Sequence, residues 1–161
     1  MKEFRLYTFG NFYMSSIQQG IQALHSTTEI FIKYENSSSD FSQRSDLFDW
    51  ANTDKTVICL NGGMDVDLQI IKTFFEQPDN PYAWSYFNEA PEAMNGMLTN
   101  VSIILPDIIY KTAQDIRSRK CYFRANELMV KIDNSCDQPL DTFSNFEIGL
   151  IDILIKCSLA R

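Results

Sequence analysis

EFRLYTFGNFYMSSIQQGIQALHSTTEIFIK, residues 3–33, changes its periodicity once, and that change decides the fold. Residues 3–9 alternate and are rich in aromatics, the pattern of a first strand. Gly10-Asn11 breaks the run. From Ser15 or Ser16 to about Lys33 the spacing becomes helical, with Ile17, Ile21, Leu24, Thr28, Phe31 and Ile32 on one stripe. Such a stripe predicts a helix packed on a sheet, and the two serines are good N-cap residues. A strand followed by an amphipathic helix opens an α/β domain.

Working outward, residues 36–45 are polar, include Ser37-Ser38-Ser39, and read as a mobile surface loop. Leu47-Phe48-Asp49-Trp50 reads as a short helical anchor. Thr56 to Leu60 is an apolar run expected to form a buried central strand, with a turn at Asn61-Gly62-Gly63. A second helix spans Asp65 to about Glu76, its apolar side formed by Leu68, Ile71, Phe74 and Phe75. Tyr82–Asn88 and Leu98–Leu105 follow as third and fourth strands. This order predicts a small mixed four-stranded sheet flanked by helices over residues 1–106. Residues 107–161 read as a mostly helical extension of the same domain. Within it Asp107–Arg117 is helical, Tyr122–Ile132 is ambiguous, and Thr142–Leu159 is a helix apolar over more than one stripe. That last helix predicts deep burial or a subunit interface, hence a homo-oligomer.

With 161 residues and 45% apolar content the chain can bury one core. No apolar run approaches the length of a membrane span, and the start lacks a signal-peptide pattern, so a cytoplasmic location is expected. Cys59, Cys121, Cys136 and Cys157 are scattered and there is a single histidine, so neither disulfides, a metal nor a cofactor is expected. A net charge of −7 disfavours large nucleic acids, while small anionic ligands stay open. Lys111, Arg117, Arg119, Lys120 and Arg124 form a local basic run that fits phosphates, a second subunit, or a solvated helix end.

The chemistry-bearing residues gather around the first helix. Gln18, Gln22, His25 and Glu29 share a face about a quarter turn from the apolar stripe, which places the histidine beside two amides and a carboxylate. The same face also fits a plain solvated side. Ahead of it, Asn11, Phe12 and Tyr13 precede a helix start at Ser16 whose first turn holds no acid. Free N–H groups there can receive an anion, and an aromatic beside them can stack a base; packing at the sheet edge is the other reading of the two rings. Asn88 and Glu89 end the third strand, where open α/β sheets place ligand contacts. No nucleophile elbow, phosphate loop, dinucleotide fingerprint or zinc-protease motif is present.

The order of elements, with Gln22-Ala23-Leu24-His25 on the first helix, Trp50 before the second strand and Pro106 after the fourth, resembles the type 2 peptidyl-tRNA hydrolase family. The resemblance covers about residues 3–106 and implies that family's small mixed sheet, with a catalytic histidine at His25. The chain departs from the family where chemistry is concentrated. Neutral Ser16 and Gln18 stand where the family has lysines. Asn88 or Glu89 stands at its aspartate, and Glu92 and Ala93 fall near its threonine. Losing the cations removes what would stabilise an oxyanion or hold a tRNA phosphate. The expectation is therefore a non-catalytic protein that sequesters a small nucleotide-like ligand through Asn11, Phe12, Tyr13, Ser16, Gln18, Gln22, His25, Asn88 and Glu89. A viral, anti-defence sponge for nucleotide immune signals would have this character. A divergent peptidyl-tRNA hydrolase is the first alternative. The second is an interaction module that dimerises through its last helix.

Overall fold

The alternating aromatics of the opening segment form a strand, β1 (Phe4–Gly10), and the serine ending the next loop caps a helix, α1 (Ser16–Tyr34). A computed structural model describes residues 3–36, 40–118, 121–124, 128–131 and 143–160. Ser15 Oγ accepts from the Gln18 N–H and Gln18 Oε1 accepts from the Ser15 N–H, a reciprocal capping box that fixes where α1 begins. Helix α2 (Phe41–Asp49) continues into a π turn at Trp50–Asp54. The expected loop is therefore helical from Phe41 onward; Ser37–Ser39 lie outside the described residues. Buried Leu47 and Trp50 give this otherwise polar segment a side to anchor, and Trp50 Nε1 donates to the Thr56 carbonyl at 2.9 Å.

The chain then forms β2 (Val57–Asn61), α3 (Asp65–Phe75), β3 (Trp84–Asn88), the one-turn helix α4 (Pro91–Met94) and β4 (Leu98–Pro106). The four strands make one mixed sheet in the order β2-β1-β4-β3. β1 and β2 are parallel, with Leu6 opposite Val57 and Gly10 opposite Asn61; β3 and β4 are antiparallel. One expectation is corrected. β2 lies at the margin of this sheet, and the central pair is β1 and β4. A short apolar run does not distinguish the two positions, because β2 gains cover from the chain's end: Asn61 N–H donates to the Ser158 carbonyl and Ala160 N–H to the Cys59 carbonyl.

Helices lie on both faces of the sheet. Phe4 and Leu6 of β1 join Ile30 and Tyr34 of α1, Leu47, Trp50 and Ile104 in one buried cluster. From the other side of β1, Phe9 meets Phe75 of α3 edge to face at 5.8 Å. The larger correction concerns which side of α1 faces inward. Its buried residues are Gln19, Gln22, Ala23, Ser26, Ile30 and Tyr34. Ile17, Ile21, Leu24 and Ile32, the residues expected against the sheet, are 77, 49, 66 and 65% exposed. The physical reason is a polar network at the interface. Ser26 Oγ lies 2.6 Å from Ser102 Oγ and donates to Asn100 Oδ1 at 2.8 Å, both on β4, while Gln22 Oε1 accepts from Thr99 Oγ1 at 3.0 Å. β4 carries a polar residue at three of its first five positions (Thr99, Asn100 and Ser102, all buried, as is Ser85 of β3 across from Ser102), so α1 meets it with small and polar side chains.

The chain divides into two compact units, one running to Leu105 and resuming at Cys157, the other Pro106–Lys156. The second unit holds α5 (Asp107–Arg117), strands β5 (Cys121–Arg124) and β6 (Leu128–Lys131), and α6 (Asn145–Lys156). The expected helical extension thus contains an antiparallel β5–β6 pair, at the segment whose periodicity was ambiguous. Helices α5 and α6 pack together, and Ile109, Ala113, Phe146, Leu150, Ile151 and Leu154 are buried. Arg119 and Lys120 of the basic run fall outside the described residues. Among the described residues no helix is long and apolar enough to cross a membrane.

Candidate ligand site

β1 and β2 end side by side, and the loops that follow them are tied to one another. The Gly62 N–H donates to the Gly10 carbonyl at 2.9 Å and the Phe12 N–H to the Gly63 carbonyl at 2.8 Å. Gly62 allows this approach because a Cβ there would stand 2.5 Å from Leu68 Cδ2 and 2.9 Å from Phe9 Cβ. Gly63 adopts a φ of +88°, which glycine tolerates without strain. Asn11 is buried and shapes the first loop, its Oδ1 accepting from the Tyr13 N–H at 3.0 Å.

At these strand ends lies a cavity of about 490 Å³ lined by Asn11, Tyr13, Met14, Gln18, Met64, Asp65, Val66, Met94 and Met97. Four of the chain's six methionines therefore surround one space. Thioether side chains adapt to irregular ligands and favour aromatic rings. The polar groups are few and placed around the apolar wall. Among the described residues the acceptor for Asn11 Nδ2 is the weak Met97 sulfur, at 3.8 Å. Gln18 spends its Oε1 on the Ser15 cap, and no described residue accepts from its Nε2. Asp65 Oδ1 accepts from the Leu98 N–H at 3.1 Å, which leaves its second oxygen for another donor. The lining contains a carboxylate and no cation. Tyr13 is 74% exposed beside Phe12, the rings edge to face at 5.7 Å.

Of the nine residues the sequence singles out, Asn11, Tyr13 and Gln18 line this cavity. Phe12 lines a neighbouring cavity of about 280 Å³ with Met14, Gln19, Asn61, Ser158, Leu159 and Ala160. Ser16 is exposed on the first turn of α1 and lines neither cavity. Gln22 does not line the cavity and its amide is consumed, Nε2 donating to Glu89 Oε1 at 2.6 Å and Oε1 accepting from Thr99. Glu89 is thus a tether between the β3–β4 connection and α1. His25 is exposed and stacks on Phe87, centroids 4.5 Å apart.

Asn88 borders a groove along β3 and α1, of about 380 Å³, with Glu29, Ile32, Lys33, Ser85, Tyr86 and Phe87. Lys33 Nζ in that groove donates to the Trp84 carbonyl at 3.2 Å and sits 4.1 Å above the Trp84 ring. Burial pulls its pKa below the ordinary lysine value.

Sequence reasoning missed Met14, Met64, Asp65, Val66, Met94 and Met97, which come together only when β2 and the β3–β4 connection are placed. It also missed Gln19. That side chain is buried, donates from Nε2 to the Met14 carbonyl at 3.0 Å, and leaves its Oε1 with no described donor. The concentration of methionine near 94–97 was the available signal. No protein-family model matches the chain, and comparison with curated proteins finds no match either.

Proposed function

We propose that this chain binds and holds a small ligand with a flat, nucleobase-like heterocycle, seated base-first in the methionine-lined cavity. The observation that carries the reading is the composition of that cavity: apolar thioether walls, an exposed tyrosine, two amide donors and one carboxylate acceptor. A volume of about 490 Å³ lies in the range of small-molecule sites. Asn11 Nδ2 and Gln18 Nε2 can donate to ring or carbonyl acceptors, and Asp65 can accept from an exocyclic amine or ring N–H. Tyr13 can stack on the ring plane.

The electrostatics refine the nucleotide expectation. With Asp65 in the wall and no lining cation, a phosphate gains nothing there and would project into solvent. Base and sugar therefore carry the affinity, and nucleosides should bind about as well as their monophosphates. His25 is not part of the lining, so the reading is of a protein that holds its ligand, a sequestering role.

Calorimetric titration with the common nucleosides and their monophosphates tests this, with bound ligand recovered and analysed. The proposal expects a nucleoside and its monophosphate to bind within a few-fold of one another and to be recovered intact. Tyr13→Ala should weaken binding by about 5- to 100-fold, the loss of one stacking contact. Affinity found only with phosphorylated ligands would refute base-first binding. Cleaved ligand would favour instead the hydrolase alternative that the Gln22–His25 motif raises.

A further inference from the structure

The apolar stripe of α1 points away from the sheet, and its spacing is that of a helix–helix seam. Ile17, Ile21, Leu24 and Thr28 follow one another at intervals of four, three and four residues, while Phe31, next in that series, turns in against the core. Residues 16–28 contain no Asp, Glu, Lys or Arg, so no charge flanks the seam over most of its length. On one flank stand the small residues Gly20 and Thr27, and nothing lies within 4 Å of where a Gly20 Cβ would be. No large apolar side chain of α6 is exposed in this way among the described residues.

We infer that a second copy of this chain covers the stripe, the two α1 helices packing antiparallel across a twofold axis at Leu24. Charge selects the occupant. The chain carries a net charge of −7, and this uncharged stripe adds no charge repulsion between two copies. A partner of strong charge would find no ionic flank here to pair with. Charge also selects the direction. Antiparallel packing brings Glu29 of each copy toward the first turn of the other α1, which carries no acid, and it opposes the helix dipoles. Ile17, Ile21, Leu24 and Ile32 expose between 49 and 77% of their surface. Together they form an apolar patch on the order of 500 Å², the size of the largest apolar patch on a monomer, which is often a functional one. It is smaller than the ~800 Å² per partner of a standard interface, so the dimer is a reversible one that dissociates on dilution.

Sedimentation equilibrium over a concentration series tests this on the full chain. The expected mass rises from 18.6 kDa to twice that value as concentration increases. Leu24→Glu should hold the chain at the single mass while leaving its dilute melting temperature unchanged, because Leu24 is exposed. Leu24→Lys should do the same. Mixing the two variants should restore the doubled mass, since position 24 meets itself across the axis. If Leu24→Glu fails to fold, Ile17→Glu gives the same reading of mass. A single mass at every concentration would overturn the inference and leave the stripe to another occupant. A dimer that survives these substitutions, or a mixture that stays monomeric, would also overturn it.

Discussion

Ser26 and Leu24 are two residues apart on α1 and carry opposite expectations from sequence and structure. By hydropathy Leu24 should be the buried anchor and Ser26 the solvent-facing residue. In the structure Ser26 is fully buried and its hydroxyl is a hub, reaching Asn100 Oδ1 at 2.8 Å, Ser102 Oγ at 2.6 Å and the Ala23 carbonyl at 3.1 Å. Asn100 and Ser102 are themselves at zero exposure, so Ser26→Ala strands polar groups that water does not reach. Leaving such a group unsatisfied costs about 1–3 kcal/mol. For a chain of this size that corresponds to a drop of about 3–10 °C in melting temperature. Leu24→Ser changes an exposed side chain and should stay within about 0.5 kcal/mol in protein dilute enough to be monomeric. Urea and thermal melts of both variants, at a concentration where the midpoint no longer depends on concentration, make the comparison. A large loss for Leu24→Ser, about 2 kcal/mol or more as expected of a core leucine, with none for Ser26→Ala, would refute the orientation of α1.

Other substitutions probe the frame around the cavity. Gly62→Ala forces a methyl to 2.5 Å from Leu68 Cδ2, so it should cost about 1–3 kcal/mol by overpacking. Gly20→Ala, with open space and a helical backbone, should instead stabilise by about 0.5–1 kcal/mol, and parallel thermal melts distinguish the two. Gln22→Ala removes the 2.6 Å bond to the Glu89 carboxylate and should lower stability by about 1.5–3 kcal/mol in urea melts. Tyr34 is buried, and that burial raises its phenol pKa from 10.0 to about 12. The folded chain keeps this proton where the unfolded chain has lost it. Stability from Tyr34 is therefore full below pH 10 and is lost as pH rises toward 12. Lys33, with its pKa lowered by burial, pushes the other way up to 10.5, so the Tyr34→Phe difference isolates the phenol. Melts of wild type and Tyr34→Phe across this range should converge as pH rises.

Much of the fold was legible in the sequence because periodicity and punctuation agree with the tertiary structure. Ser15 announces the start of α1, Pro106 marks the passage from β4 to α5, and the Gly62-Gly63 pair marks the turn that ties two loops together. The inward side of α1 was not legible, because its cost and reward depend on Asn100 and Ser102 of β4, about 75 residues along the chain. Reading hydropathy alone treats the polar side of a helix as solvated. Here that side meets a polar stretch of buried strand, and the apolar side is left outward. The same remoteness hid the cavity. Asn11, Tyr13 and Gln18 were visible as candidates on one loop and helix start, whereas Met64, Met94 and Met97 reach them from β2's end and the β3–β4 connection. His25 drew attention as the one histidine, yet stacking on Phe87 sets it on a different surface from the cavity.

Methyl NMR of protein labelled at the methionine methyls, titrated with a nucleoside, follows the proposed site through the residues that line it. Six methyl signals are available, and assignment by Met→Leu substitution identifies Met14, Met64, Met94 and Met97. The account expects these four to move together and saturably, while the His25 ring protons stay in place. Binding that leaves all four unmoved, or that perturbs His25 and Phe87 instead, would contradict it.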